Sequence, residues 1–405
     1  MLPKDFLLPD FEEVLLEEAP IKSDIDNDFA ECPFLDRGYG DDWLDTGWVN
    51  NFNLDLVLSH AIERGASDIH LAGDRVVCFS VLGDIIRCNE FPIPEDDTMQ
   101  ELTKKILTYE AIGDFVKDLE YDTSYKIRIG RYEGRRFRVN LGKSFDTNIM
   151  TFRTIESKIP SKESLGIDSE FSELFNNSSG VVLVCGATGS GKTTSLASVI
   201  RNIQLTQKKK IITVEKPIEF IYPDDGLSCI VQRDIPSDCL SFSNGLTSAM
   251  RSSPDIILIG EVRNKEEVDE LLRASETGHL SVSTVHTSNN IVTLNRIRSL
   301  YEGSEQKRIM STLGDNLRGI VNQVLVKTID GKSRFAVREI LKVDFNIRRI
   351  IQNDELYKIR EKQEISGSTL EHKLIECVNK RLCTLEEARS KAPDQSYFDY
   401  LINER

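Results

Sequence analysis

The chain is 405 residues long, 40% hydrophobic, and carries a formal net charge of −15. Its length and apolar content predict two or three domains with their own cores and exclude a disordered chain, while its acidity argues against a general nucleic-acid binder. No apolar run approaches the length of a membrane-spanning helix, no basic-then-apolar leader opens the chain, and the eight cysteines are scattered without a C-x-x-C pair. Neither a signal peptide, a zinc site nor a disulfide framework is therefore signalled, and the cysteines read as reduced, cytosolic thiols.

Residues 1–50 hold 14 Asp or Glu against 3 Lys or Arg, and Pro3, Pro9, Pro20 and Pro33 interrupt any long helix. This extension reads either as a solvated, flexible tail or as a docking peptide built on Phe6, Leu7, Leu8, Phe11, Val14, Leu15 and Leu16. Residues 51–156 read as a small α+β domain. An amphipathic helix over 53–64 is closed by Gly65 and followed by strands at 68–71, 75–81 and 84–88. Helices at 95–107 and 110–119 precede strands at 121–129, 135–142 and 148–155. The alternation in Arg136-Phe137-Arg138-Val139-Asn140-Leu141 is that of a half-buried strand with a basic outer face. Residues 157–166, with Pro160, Ser161, Ser164 and Gly166, read as a linker.

From 167 to 344 strands and helices alternate, which predicts an α/β domain with a parallel sheet. Strands are expected at 181–185, 210–214, 228–232, 255–259 and 280–284, with helices at 192–205, 241–251 and 264–276. A helix over 304–316 and strands at 319–327 and 334–341 complete it. Residues 345–405 are charged and helical.

Between the apolar strand Gly180–Cys185 and the next helix lies Gly186-Ala187-Thr188-Gly189-Ser190-Gly191-Lys192-Thr193-Thr194, which fits the phosphate-loop pattern G-x-x-x-x-G-K-[ST]. Glycines let backbone N–H groups turn inward around phosphate oxygens, and the helix start adds unpaired N–H groups and a positive dipole end. Lys192 can reach the β- and γ-phosphates of ATP, and the Thr193 hydroxyl can ligate Mg²⁺. The apolar strand Asp255–Ile259 runs into Glu261, where a second-strand acid would hold the Mg²⁺ or its water. Strand 211–214 runs into Glu215 and Glu219, either of which can serve as general base. His279 and His286 flank the strand 280–285 as candidate γ-phosphate sensors.

These motifs, in this order, resemble the type II/type IV secretion ATPase superfamily of pilus retraction, secretion and conjugation motors. The matching stretches are the phosphate loop, the acid-rich box Ile212–Phe220, the second acid strand Pro254–Arg263, and the histidine box Glu276–Thr287. Ala66–Leu71, Arg138–Asn140 and Phe152–Ile155 match pieces of the family's amino-terminal domain. The resemblance implies a PAS-like amino-terminal domain, a RecA-like P-loop ATPase domain and a small helical carboxyl-terminal region, assembled as a homohexameric ring. It implies ATP and Mg²⁺ as ligands, peripheral placement at the inner membrane, and partners among the membrane and cytoplasmic components of a secretion or pilus machine, without direct nucleic-acid binding. Position by position it makes Glu219 the catalytic glutamate, with Glu215 behind it, Glu261 the second-strand glutamate and His279 the phosphate sensor. It makes Arg138 and Arg153 arginines that reach the nucleotide from the amino-terminal domain. Lys216 departs from the Asp usual there, as Ser253 and Asn264 depart from acids. The four-cysteine zinc motif of the larger members is absent, which points to the compact branch. Within it, Ile235-Pro236 through Met250-Arg251 and Thr328–Lys332 favour the DotB and TraJ motors of type IVB secretion and conjugation, whereas Val337–Leu341 looks like the pilus retraction motors.

Overall fold

A computed structural model of the chain describes residues 48–81, 84–155 and 158–404, so the acidic extension lies outside the described residues almost entirely. Two short strands, β1 (Trp48–Val49) and β2 (Phe52–Asn53), pair as an antiparallel ribbon. The Asn53 side chain accepts from the Leu56 N–H and so starts α1 (Leu54–Glu63), which buries Leu54, Val57, Leu58 and Ala61. Gly65, at φ +65°, releases the chain into the first sheet. That sheet is built from β3 (Ala66–Ala72), β4 (Cys78–Val81) and β5 (Asp84–Arg87). The helices α2 (Asp96–Ile106) and α3 (Tyr109–Asp118) follow. The strands β6 (Tyr121–Lys126), β7 (Arg136–Ser144) and β8 (Thr147–Thr154) complete it. The order is β5-β4-β3-β8-β7-β6, and every pairing is antiparallel. The alternation in β7 works as expected: Phe137, Val139 and Leu141 enter a core with Leu58, Met99 and Leu102, and Arg136, Arg138 and Asn140 face outward.

The linker leads through α4 (Ser169–Glu173) to the second sheet. Its first half is β9 (Gly180–Cys185), α5 (Lys192–Thr206), β10 (Lys210–Glu215), β11 (Cys229–Asp234) and α6 (Phe242–Met250). Next come β12 (Ile256–Ile259), α7 (Lys265–Glu276), β13 (Leu280–Val285), α8 (Asn290–Ser299) and α9 (Ser304–Asn316). A hairpin of β14 (Leu317–Lys327) and β15 (Arg334–Lys342) ends it. The order is β11-β10-β12-β13-β9-β14-β15, parallel throughout except for the antiparallel β14–β15 edge. Helices cover both faces, which is why the central strands are apolar without a break. In β9, Val181, Leu183 and Cys185 pack toward α7, α8 and α9, while Val182 and Val184 pack toward α4 and α5. Helix α8 is one element that the sequence did not signal.

Five helices close the chain: α10 (Phe345–Gln352), α11 (Tyr357–Ser366), α12 (Leu370–Asn379), α13 (Leu385–Lys391) and α14 (Gln395–Asn403). They are no detached appendage. Leu370, Leu374, Ile375, Ala388 and Phe398 share one apolar cluster with Val326 and Val337 of the β14–β15 hairpin.

Candidate nucleotide site

The carboxyl ends of β9, β10, β12 and β13 meet at one edge of the second sheet, where parallel sheets gather their ligands. Strand β9 is buried along its whole length, and the chain leaves it through Gly186 at φ +151°. A Cβ there would lie 2.4 Å from the Gln323 carbonyl oxygen and 2.5 Å from Ser190 Oγ, so only glycine fits. Gly191, at φ +80°, caps α5 without any side-chain hydrogen bond. The first N–H groups of that helix, from Lys192 to Thr194, therefore have no acceptor within the helix and face the loop. Ser190 Oγ is buried with no hydrogen-bond partner among the described residues. Lys192 is 6% exposed, and its Nζ donates to the carbonyls of Gly186 (2.8 Å) and Ala187 (3.0 Å). Burial pulls its ammonium pKa down, while Cys185, Glu261 and Glu219 act to raise it. An uncapped helix start, a glycine cradle and a buried lysine together fit a phosphate chain.

Glu261 is held in place by the turn around it. The Gly260 N–H donates to Val214 O (2.8 Å), the Val262 N–H to Thr284 O (3.0 Å), and the Thr284 hydroxyl to Gly260 O (2.6 Å). Its carboxylate takes Arg263 at 2.6 Å and His286 Nε2 at 3.5 Å. His286 in turn lies 3.3 Å from Thr188 Oγ1 of the phosphate loop. Burial, followed by the charge of Lys192, lowers the His286 pKa and keeps the ring neutral near neutral pH, although Glu261 opposes the shift. The loop after β10 is pinned to β11: the Ile218 N–H donates to Asp234 Oδ1 (2.9 Å) and the Tyr222 N–H to Gln232 Oε1 (3.0 Å). Within it Glu219 is exposed and lies close enough to act on Lys192. Glu215 is buried. Its Oε1 accepts from Thr213 Oγ1 (2.6 Å) and Gln232 Nε2 (3.3 Å), and burial pushes its pKa up to about 7.

The structure thus gathers Lys192, Thr193, Glu219, Glu261 and His286 around the phosphate loop. It does not bring His279 there. His279 precedes β13, at the far end of the strand, with Nδ1 3.0 Å from Ala274 O and 3.1 Å from Thr277 Oγ1. Of the two histidines, His286 is the one that the strand direction points to the site. Arg138 and Arg153 are cross-strand neighbours on the first sheet, paired with Asp122 (3.5 Å) and Asp68 (2.7 Å) of that same sheet. Lys216 is exposed and lines a cleft of about 230 Å³ with Pro236 and with Glu120, Tyr121, Asp122 and Asn140 of the amino-terminal sheet. Gln323 and Arg338, which buttress the loop from β14 and β15, had no signal in the local motif. Only the pairing of two strands distant from it brings them there.

The profile of the "Type II/IV secretion system protein" family matches residues 44–390. The chain belongs to this family of secretion and pilus ATPases. It is 35% identical over 342 residues to the type IV pilus retraction ATPase PilT of Pseudomonas aeruginosa, a match covering 83% of this chain and 97% of that one. A twitching motility protein of Neisseria gonorrhoeae is 33% identical over 338 residues, covering 81% and 89%. Among solved structures, the pilus retraction motor PilT with bound ADP matches at a TM-score of 0.78 and 32% identity, over 86% of this chain and 99% of that one. The ATPase DotB of Legionella pneumophila matches at 0.73 and 26%, over 87% and 95%. Among the described residues no helix is long and apolar enough to cross a membrane.

Proposed function

We propose that the chain is the ATP-hydrolysing subunit of a homohexameric motor that works at the cytoplasmic face of the inner membrane. Its first sheet layer would be the PAS-like domain of the family and its second the RecA-like ATPase domain. The carrying observation is the convergence of Lys192, Glu219, Glu261 and His286 on one glycine cradle at the carboxyl edge of a parallel sheet. The cradle and Lys192 bind the phosphates. Thr193 and Glu261 are the residues that would hold Mg²⁺, which supplies neutralisation of the β- and γ-phosphate charge. Glu219 accepts the proton of the water that attacks the γ-phosphorus, and His286 reports on that phosphate through Thr188 and Glu261. ADP and inorganic phosphate leave. Glu215, already engaged by Thr213 and Gln232, shapes the loop rather than serving as base. Arg138 and Arg153 stabilise transition-state charge in a neighbouring subunit's site.

The higher identity and TM-score of the retraction motor support a pilus-type machine as the motor's setting. Type IVB secretion or conjugation is the second reading, supported by the segments 235–251 and 328–332. Lys192→Ala should abolish ATP turnover in a folded protein; turnover at the native rate would overturn the proposal.

A further inference from the structure

Arg338 of β15 stands directly opposite Gln323 of β14. Arg338 is 9% exposed and, among the described residues, has no carboxylate within ion-pair distance. All five of its N–H donors are nevertheless used. Nε donates to Gln323 Oε1 at 2.8 Å, one terminal nitrogen to Gly166 O (2.9 Å) and Leu165 O (3.2 Å), and the other to Leu165 O and Ser195 Oγ (both 3.2 Å). The ring of Phe171 lies 5.8 Å beneath it and fixes its depth. Burial pulls its pKa down to about 10, with the Asp168 charge opposing. Such a group is costly to bury, and it meets the linker at the point where the chain enters the second sheet layer.

The other end of this arrangement is the phosphate loop. Gln323 Oε1 accepts from both Arg338 and Ser195, which fixes the amide orientation and turns Nε2 toward the Ser190 carbonyl at 2.6 Å. The Gln323 backbone oxygen closes on Gly186 from behind. We propose that Arg338 and Gln323 are positioning residues that couple the seat of the linker, at Leu165 and Gly166, to the shape of the phosphate loop at Ser190. The proposal rests on the nucleotide-site reading above. Moving Leu165 and Gly166 removes the acceptors of three of the five hydrogen bonds that Arg338 donates. The guanidinium then swings, Gln323 loses the partner that orients it, and the Ser190 carbonyl is released. By reciprocity, a nucleotide that fixes Ser190 fixes the linker. Only the forked guanidinium can serve both ends; an ammonium has three donors on one atom and cannot span them.

The test uses the full chain and ADP as the probe. Hydrogen exchange of segment 160–167 is followed with and without ADP, alongside ADP affinity, in the native protein, Arg338→Lys and Gln323→Ala. The expected result is that ADP slows exchange of the segment in the native protein. In both variants ADP should bind about ten-fold more weakly, the scale of one charge-assisted hydrogen bond, and the linker response should vanish at saturating ADP. Variants that exchange faster overall but keep the native ADP-induced difference would show a structural role only and overturn the coupling. So would native protein that binds ADP without a linker response. Native protein that binds no ADP would remove the nucleotide-site reading and the coupling together.

Discussion

Glu215 and Glu219 lie four residues apart and meet different media. Glu219 stands in solvent near Lys192; Glu215 is buried, hydrogen-bonded on one oxygen and raised to about 7. Only the first is free to take a proton from water at neutral pH without losing an existing role. Glu219→Gln is therefore expected to lower kcat by about 10²–10⁴-fold, the scale of general-base catalysis, with ADP affinity within a few-fold of native. Steady-state turnover and ADP titration check both halves. His286→Ala should cost more turnover than His279→Ala, because only His286 touches the phosphate loop and Glu261. The placement of the phosphate loop, Glu219 and Glu261 at the carboxyl ends of the strands was legible because its signals are local: a glycine pattern and acids at strand ends. The reading of His279 as the phosphate sensor passed over strand direction: the residue after a parallel strand lies at the ligand edge, and that residue is His286. The burial of Glu215 was not legible, because it depends on Gln232 arriving from the next strand.

At the scale of elements, α12, α13 and α14 share one apolar cluster with the β14–β15 hairpin, whereas α10 and α11 join the main core of the second sheet. Phe398 is fully buried among Leu370, Leu374 and Val337. Phe398→Ala should destabilise the protein by ~3–5 kcal/mol and loosen α12, α13 and α14 together, as read by thermal melting and hydrogen exchange. Beneath these helices lies Glu339, 1% exposed, near Arg360 and Glu371, with Asn322 Nδ2 at 3.4 Å. Burial raises its pKa from 4.5 to about 7, against the hydrogen bond from Asn322 and the charge of Arg360. The folded protein thus holds a proton that the unfolded chain has lost. This stabilisation is complete below pH ~4.5 and is lost as pH rises through about 7, on the order of 3 kcal/mol in all. Stability should fall between about pH 4.5 and 7 and level off above, and Glu339→Gln should make that fall shallower, leaving the share of the similarly raised Glu215; equal slopes against pH in denaturant titrations of the two proteins would contradict it. Most elements were readable from apolar periodicity and caps. Helix α8 was not, because Ile291, Val292 and Thr293 are poor helix formers and only Leu294 and Ile297 are buried apolar anchors. The Asn289 side chain, accepting from the Val292 N–H, was its one local signal.

At the scale of the molecule, the two sheet layers meet across the cleft where Lys216 faces Glu120 and Asp122. Lys216 therefore bears on that junction, while Glu261 lies at the carboxyl edge of the second sheet, beside the phosphate loop. Arg138 and Arg153 pair with acids of their own sheet yet stay 40% and 63% exposed, and in their proposed service they would exchange those acids for the phosphates of a neighbouring copy. Turnover should then depend on assembly, and Arg153→Ala subunits should depress the activity of native ones when mixed, as read by titrating one into the other. The most direct measurement is ATP turnover per subunit against protein concentration, for the native protein, Lys192→Ala and Lys216→Asp. Native activity per subunit that rises with concentration, with Lys192→Ala inactive throughout, is the expected result. Native protein inert at every concentration, with Lys216→Asp active, would contradict the motor.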